Sequence, residues 1–245
     1  MLLSIIRSHG ADFLTILMYI LSVLMIIFLV NPLHECAHGF VAYKLGDRTA
    51  KNMGRLTLNP LAHIDYMGAL MMLLVGFGWA KAVPVNPRNF KKPKVGMAIT
   101  ALAGPVSNLL AAILAGLIYN GINTILIKKG DLIYSHELKA FFASVDYDPG
   151  FLKYIFLFLQ YFILINICLA VFNLIPIPPL DGSKILSVFL PDRILYKMQQ
   201  YEMYFSIALF ILIMAGGLSM FLTPVQNWLY DAINQLTQLP FRWAW

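Results

Sequence analysis

His34-Glu35-Cys36-Ala37-His38 spells H-E-x-x-H. On a helix, positions i and i+4 share a face, so both imidazoles can reach one metal ion. Glu35 sits about 100° around the helix from His34. From there a carboxylate can approach a water beside the metal without being forced to ligate. Zinc in such a site lowers the pKa of its water toward ~7, and the carboxylate takes the proton as the water attacks a carbonyl. A catalytic zinc also wants a third protein ligand and an open position. The candidates are His63, Asp65, Asp47, Glu137 and Asp181. Asp181 leads them. It closes the uncharged stretch Tyr154–Leu180, inside Asn173-Leu-Ile-Pro-Ile-Pro-Pro-Leu-Asp181-Gly182. An unpaired carboxylate there is costly, and a cation would satisfy it. The alternative is a helix N-cap just outside the membrane. His63 and Asp65 fall in a polar loop, where local hydrogen bonding is the ordinary fate. Cys36 points away from the two-histidine face and reads as packing, as does Cys168.

Two asparagines stand in apolar surroundings, Asn108 and Asn173. Each either bonds neighbouring helices together or holds an extended substrate backbone and polarises its carbonyl.

The elements that position these residues belong in a membrane. Of 245 residues, 60% are hydrophobic and 12% charged, against about 45–50% and about 25% in soluble domains. That excludes a soluble globular enzyme, a disordered chain and a nucleic-acid binder with a large basic face. A span needs roughly 20 apolar residues. Phe13–Leu33, Val95–Ile127, Tyr154–Leu180 and Met203–Tyr230 are free of Asp, Glu, Lys and Arg and qualify. Tyr66–Ala80 is too short for an upright span and reads as re-entrant. The expected fold is therefore an all-α polytopic membrane protein of about four transmembrane helices. Small β elements at the membrane edge are expected at 53–60 and 82–87. The first apolar stretch lacks an A-x-A cleavage pattern and is expected to be retained. Asn31-Pro32 is expected to restart or kink the metal helix.

With the termini outside, the inside segments 44–65, 81–94 and 183–200 carry twelve Lys and Arg, against six outside. The positive-inside rule favours that orientation, and the net charge of +6 reads as membrane orientation. It places His34, His38 and Asp181 at similar depth near the inside face. The expected organisation is a core over 1–222 and an amphipathic, aromatic-rich tail over 223–245, with Trp228, Tyr230, Trp243 and Trp245 as anchors.

Taken together, these motifs resemble the site-2 protease family of intramembrane metalloproteases. The resemblance rests on His34–His38 and on Asn173–Gly182, which looks like the family's N-x-x-P-x-x-x-x-D-G element. Gly54–Asp65, Gly78–Pro87 and Ala103-Gly-Pro-Val-Ser-Asn108 support it. It covers about residues 20–190. Ser183, Ala82 and Tyr66 depart from the pattern but touch no proposed ligand. The resemblance implies one Zn2+ per chain held by His34, His38 and Asp181, with Glu35 as the general base. It puts Asn108 and Asn173 near the substrate and has the membrane-edge segments line up substrate as an added strand. With no PDZ or CBS module, the chain is similar to the minimal forms. The expected function is a multi-pass zinc endopeptidase of the cell membrane, with its site near the cytoplasmic face. It would cut peptide bonds in or near transmembrane segments of membrane-protein substrates, as in regulated intramembrane proteolysis. The expected partners are such a substrate and the lipid bilayer, with no nucleic acid and room for a regulatory partner. The rival from a different class is a non-catalytic metal-ion transporter or pseudoprotease adaptor.

Overall fold

The computed structural model describes residues 13–75, 78–135, 140–143 and 150–244. The chain begins with helix α1, Phe13–Met25, which passes through a π-helical turn, Ile26–Val30, into helix α2, Asn31–Lys44. The turn has a local cause. Pro32 has no amide to donate to a carbonyl one turn back. The ladder slips by one residue there, and the Asn31 amide bonds to the Ile26 carbonyl. The expected interruption at Asn31-Pro32 is thus a change of pitch rather than a break, and Ile16–Lys44 is one apolar rod long enough to cross a membrane.

After α2 come a short helix α3, Thr49–Asn52, and helix α4, Tyr66–Val75. The expected re-entrant segment Tyr66–Ala80 therefore contains a ten-residue helix. Its residues 76 and 77 lie outside the described residues, as does Glu137. Helix α5, Pro93–Lys129, is the longest element, and it ends where Gly130 turns left-handed. A short antiparallel pair follows, β1 at Leu132–Ser135 and β2 at Ala140–Ala143, with Leu132 opposite Ala143. Helix α6 is Leu152–Asn173, and helix α7 is Asp181–Leu186. Helices α8, Asp192–Gln200, α9, Glu202–Met214, and α10, Ser219–Gln238, follow, and a 3-10 helix, Leu239–Ala244, completes the order.

Among the described residues, three helices are long and apolar enough to cross a membrane: Ile16–Lys44, Pro93–Lys129 and Leu152–Asn173. The fourth expected crossing, Met203–Tyr230, is not one rod. It divides into α9 and α10 at Gly216-Gly217, two consecutive residues of poor helix propensity. The expected β elements at 53–60 and 82–87 form no ladder among the described residues. Residues 82–86 belong to no regular element, with Asn86 extended, and the described strands lie elsewhere.

Helix α5 shows how the bundle sits in its solvent. One face buries small groups, among them Ala101, Gly104, Ala112, Ala115 and Gly116, which let neighbouring backbones approach closely. The other face exposes Ile99, Leu102, Val106, Leu110, Leu114 and Ile118. An apolar stripe on the outside of a helix bundle suits lipid, not water. The core joins Tyr19 and Val23 of α1, Ala112 of α5, Phe162 and Ile167 of α6, and Ile233 of α10.

Candidate metal centre and active site

Helix α2 carries His34 and His38 on one face, and the fold brings Asp181 of α7 to them. His34 Nε2 and His38 Nε2 are 3.0 Å apart. Asp181 Oδ2 lies 3.4 Å from the first and 3.2 Å from the second. All three side chains are buried, and no other described group of His, Cys, Asp or Glu converges to hold a metal. The last turn of the chain before Asp181 is tight. A Cβ on Gly182 would stand 2.2 Å from the Leu174 carbonyl oxygen, so glycine lets Asp181 fold back toward α2.

The donor set fits a zinc ion. His38 Nδ1 is 2.7 Å from the Thr100 carbonyl. A carbonyl only accepts, so Nδ1 holds the hydrogen and Nε2 of the neutral ring offers a lone pair. His34 Nδ1 likewise faces the Asn108 carboxamide oxygen at 2.9 Å. Two imidazole lone pairs and a carboxylate oxygen then point at one another, an arrangement that a bound metal ion would relieve. With Zn–N bonds of ~2.0–2.1 Å, tetrahedral ligands stand about 3.3 Å apart, which matches the observed spacings. Partners on the far ring nitrogens are also what zinc histidines ordinarily have. Helix α5 passes so close that a Cβ on Gly104 would sit 2.4 Å from both Nε2 atoms.

Glu35 is buried beside this group. Its Oε2 accepts a 2.7 Å hydrogen bond from the Val83 amide. The remaining sequence candidates go elsewhere. Asp47 accepts from Thr49, Asn86 and Asn89. His63 Nε2 bonds to the Thr57 carbonyl at 2.8 Å. Asp65 accepts from the Gly68 amide at 2.9 Å, in the first turn of α4. Asp181 is in the first turn of α7 but faces the histidines, and its other oxygen, Oδ1, meets Lys184 Nζ at 3.1 Å. Asn173 donates to the Leu169 carbonyl one turn back at 3.0 Å. The structure therefore gathers His34, His38, Asp181, Glu35 and Asn108, and leaves Asn173 bonded within its own helix. Three participants escaped sequence reading. Gly104 could have been found from its small size in Ala103–Asn108. The Thr100 carbonyl and Val83 amide are backbone groups and leave no signal in residue type.

The family model described as Peptidase family M50 matches residues 19–215. The chain belongs to this family. "Putative zinc metalloprotease YwhC" of Bacillus subtilis (strain 168) is 37% identical over 229 residues, covering 94% of this chain and 95% of its own. "Putative zinc metalloprotease Rip2" of Mycolicibacterium smegmatis is 24% identical over 204 residues, covering 81% of this chain and 69% of its own. Rip2 of Mycobacterium tuberculosis (strain ATCC 25618 / H37Rv) is 28% identical over 206 residues, with the same coverage. No solved structure matches the chain. This M50 peptidase is a zinc metalloprotease and a membrane protein.

Proposed function

We propose that this M50 peptidase hydrolyses peptide bonds in or near the transmembrane segments of membrane-protein substrates, as in regulated intramembrane proteolysis. His34, His38 and Asp181 are the metal ligands in this reading, and Glu35 is the general base. The observation that carries it is the meeting of His34, Glu35 and His38, inside a helix long enough to span a membrane, with Asp181 of the short helix α7. His34 lies ten residues from the Lys44 end of the first rod, and Gly104 eleven from the Pro93 end of α5. At 1.5 Å per residue both are roughly 15 Å from those ends, which supports a site within the bilayer. The basic segment 81–94 is at that same end and supports a cytoplasmic opening.

Zinc held there supplies Lewis acidity toward the attacking water and the scissile carbonyl. Glu35 takes the proton of the water and returns it to the departing amine. Asn108 keeps His34 in the tautomer that presents Nε2, and the Thr100 carbonyl does the same for His38. The segment 82–86, biased toward extended backbone by Pro84 and Pro87, can take substrate as an added strand: among the described residues, the Val85 amide and carbonyl make no hydrogen bond. Pairing there unwinds a substrate helix and exposes its carbonyl to attack. Asn173, at the end of α6, is retained as a substrate contact of this reading, and the cell membrane as its location.

The test is zinc per purified chain together with cleavage of a synthetic transmembrane peptide in detergent. Wild type is expected to hold one zinc, and His34→Ala and Asp181→Ala to lose it. Glu35→Gln keeps zinc and loses cleavage. Unchanged zinc in Asp181→Ala would remove Asp181 from the ligand set, and cleavage by Glu35→Gln would remove the base.

A further inference from the structure

Glu35 receives its Val83 hydrogen bond from a segment that is anchored at both ends. At the near end, Arg55 Nη2 donates to the Lys81 carbonyl at 2.9 Å and the Ala82 carbonyl at 3.3 Å. The Lys81 amide donates to the His63 carbonyl at 2.8 Å. At the far end stands Asp47, which is 0% exposed. Its Oδ1 accepts from the Thr49 amide at 3.0 Å, the Thr49 hydroxyl at 2.5 Å and the Asn89 carboxamide at 2.7 Å. Its Oδ2 accepts from the Asn86 amide at 2.8 Å. The residues between are stiff. Val83 and Asn86 each precede a proline, which biases both toward extended backbone. Pro84 and Pro87 offer no amide.

Asp47 is in an unusual place for an acid. It follows the last residue of α2 by three positions, and its own amide bonds back to the Ala42 carbonyl at 2.9 Å. A helix C-terminus disfavours negative charge, so Asp47 owes its stability there to the four donors. Two of those, Asn86 and Asn89, belong to the chain that carries Val83. The other two come from Thr49 at the start of α3, while the Asp47 amide bonded to the Ala42 carbonyl fixes Asp47 to the end of α2, the helix that carries Glu35.

We propose that Asp47 is a positioning residue for the general base. By tying residues 86 and 89 to the end of α2, it sets where the Val83 amide meets the Glu35 carboxylate. With Oε2 engaged, the other oxygen is left for the proton of the water. The inference rests on the reading of Glu35 as the base. Misplacing a catalytic group by an ångström costs on the order of 100-fold in rate, so the loss should fall on kcat rather than on metal binding.

The test uses the full chain in detergent with a synthetic peptide of ~20 apolar residues. Asp47→Asn keeps the volume but turns an amino group toward either the Asn86 amide or the Thr49 and Asn89 donors. It is expected to lower kcat about 10-fold or more, with KM within about threefold and zinc per chain unchanged. Val83→Pro removes the amide that Glu35 receives and gives a comparable loss. The double variant loses no more than the worse single one, because both act through one hydrogen bond. Wild-type kcat in Asp47→Asn, or losses that multiply, overturns the proposal. So does a kcat loss that only follows loss of zinc. If Asp47→Asn does not fold, Asn86→Pro deletes the amide at Oδ2 and carries the same expectations. Glu35→Gln in parallel separates the two readings. If it still cleaves, the base assignment fails. If it is inactive while Asp47→Asn is normal, only the present inference fails.

Discussion

At the scale of single residues, the site depends on groups that contribute nothing to the ligand set. Gly104 is the sharpest case. A Cβ there would meet both Nε2 atoms at 2.4 Å, so one or both imidazoles would have to move. Gly104→Ala should therefore lower zinc per chain well below that of wild type while α5 still forms, since alanine is the better helix former. Metal analysis beside circular dichroism checks this, and full zinc in a folded variant would contradict the geometry. Asn108 acts through His34. Asn108→Leu removes the acceptor at 2.9 Å, frees the ring to take the wrong tautomer, and should reduce zinc affinity or activity by roughly 10–100-fold. Asn108→Asp keeps an acceptor and should lose less, and a zinc competition titration distinguishes the two.

At the scale of elements, the joints matter more than the helices. The run from the end of α2 through residue 89 is held by side-chain hydrogen bonds, and Asp47 accepts four of them. Burial pushes its carboxyl upward, but the hydrogen bonds from Thr49, Asn89 and Asn86 outweigh burial and hold it below the ordinary 3.8. The folded value is below the unfolded one, so the stability Asp47 contributes is present above about pH 4 and is lost as pH falls through the folded value. The difference in melting temperature between wild type and Asp47→Asn should be full at pH 7 and shrink below about pH 4. A constant difference across that range would show that ionisation of Asp47 is not what stabilises the joint. Elsewhere, Lys94 at the start of α5 meets Asp192 at 2.8 Å and the Leu190 carbonyl at 2.7 Å, tying the start of α8 to α5.

At the scale of the whole molecule, chemistry and anchorage lie at opposite ends of α5. Gly104 and Asn108 face His34 and His38 in the candidate metal centre, and sixteen residues beyond Gly104 Asn120 donates to Thr237 of α10 at 2.9 Å. That separation is about 24 Å along the helix axis. The C-terminal helix is thereby part of the buried core, with Ile233 and Thr237 inside it. Thr237→Val should cost about 0.6 kcal/mol, the average for a hydrogen bond between membrane helices, and leave peptide cleavage within about twofold of wild type. Thermal unfolding in detergent and the cleavage assay, run on one preparation, check both halves of the expectation.

Much of this was legible in the residues. The spacing of His34, Glu35 and His38 is a property of one helix, and helical periodicity alone puts the imidazoles together. Composition alone demanded a membrane, because runs free of charge over some twenty residues have few other solvents. The rods around residues 16–44, 93–129 and 152–173 could be read for the same reason, but the first runs on to Lys44, well past the expected Leu33, because a helix continues through its charged residues, and the third stops at Asn173, short of the expected Leu180, where the prolines begin. The fourth rod could not, because apolar composition runs unchanged through Gly216-Gly217 while the backbone does not. Asp181 could be ranked first from its cost in an apolar setting, but Asp47, His63 and Asp65 had the same chemistry. Only packing separated them, by giving Asp47, His63 and Asp65 local partners and leaving Asp181 to face the histidines. The backbone groups that orient the site, at Thr100 and Val83, were decided by tertiary structure alone, because every residue type carries the same amide and carbonyl and only the fold places them.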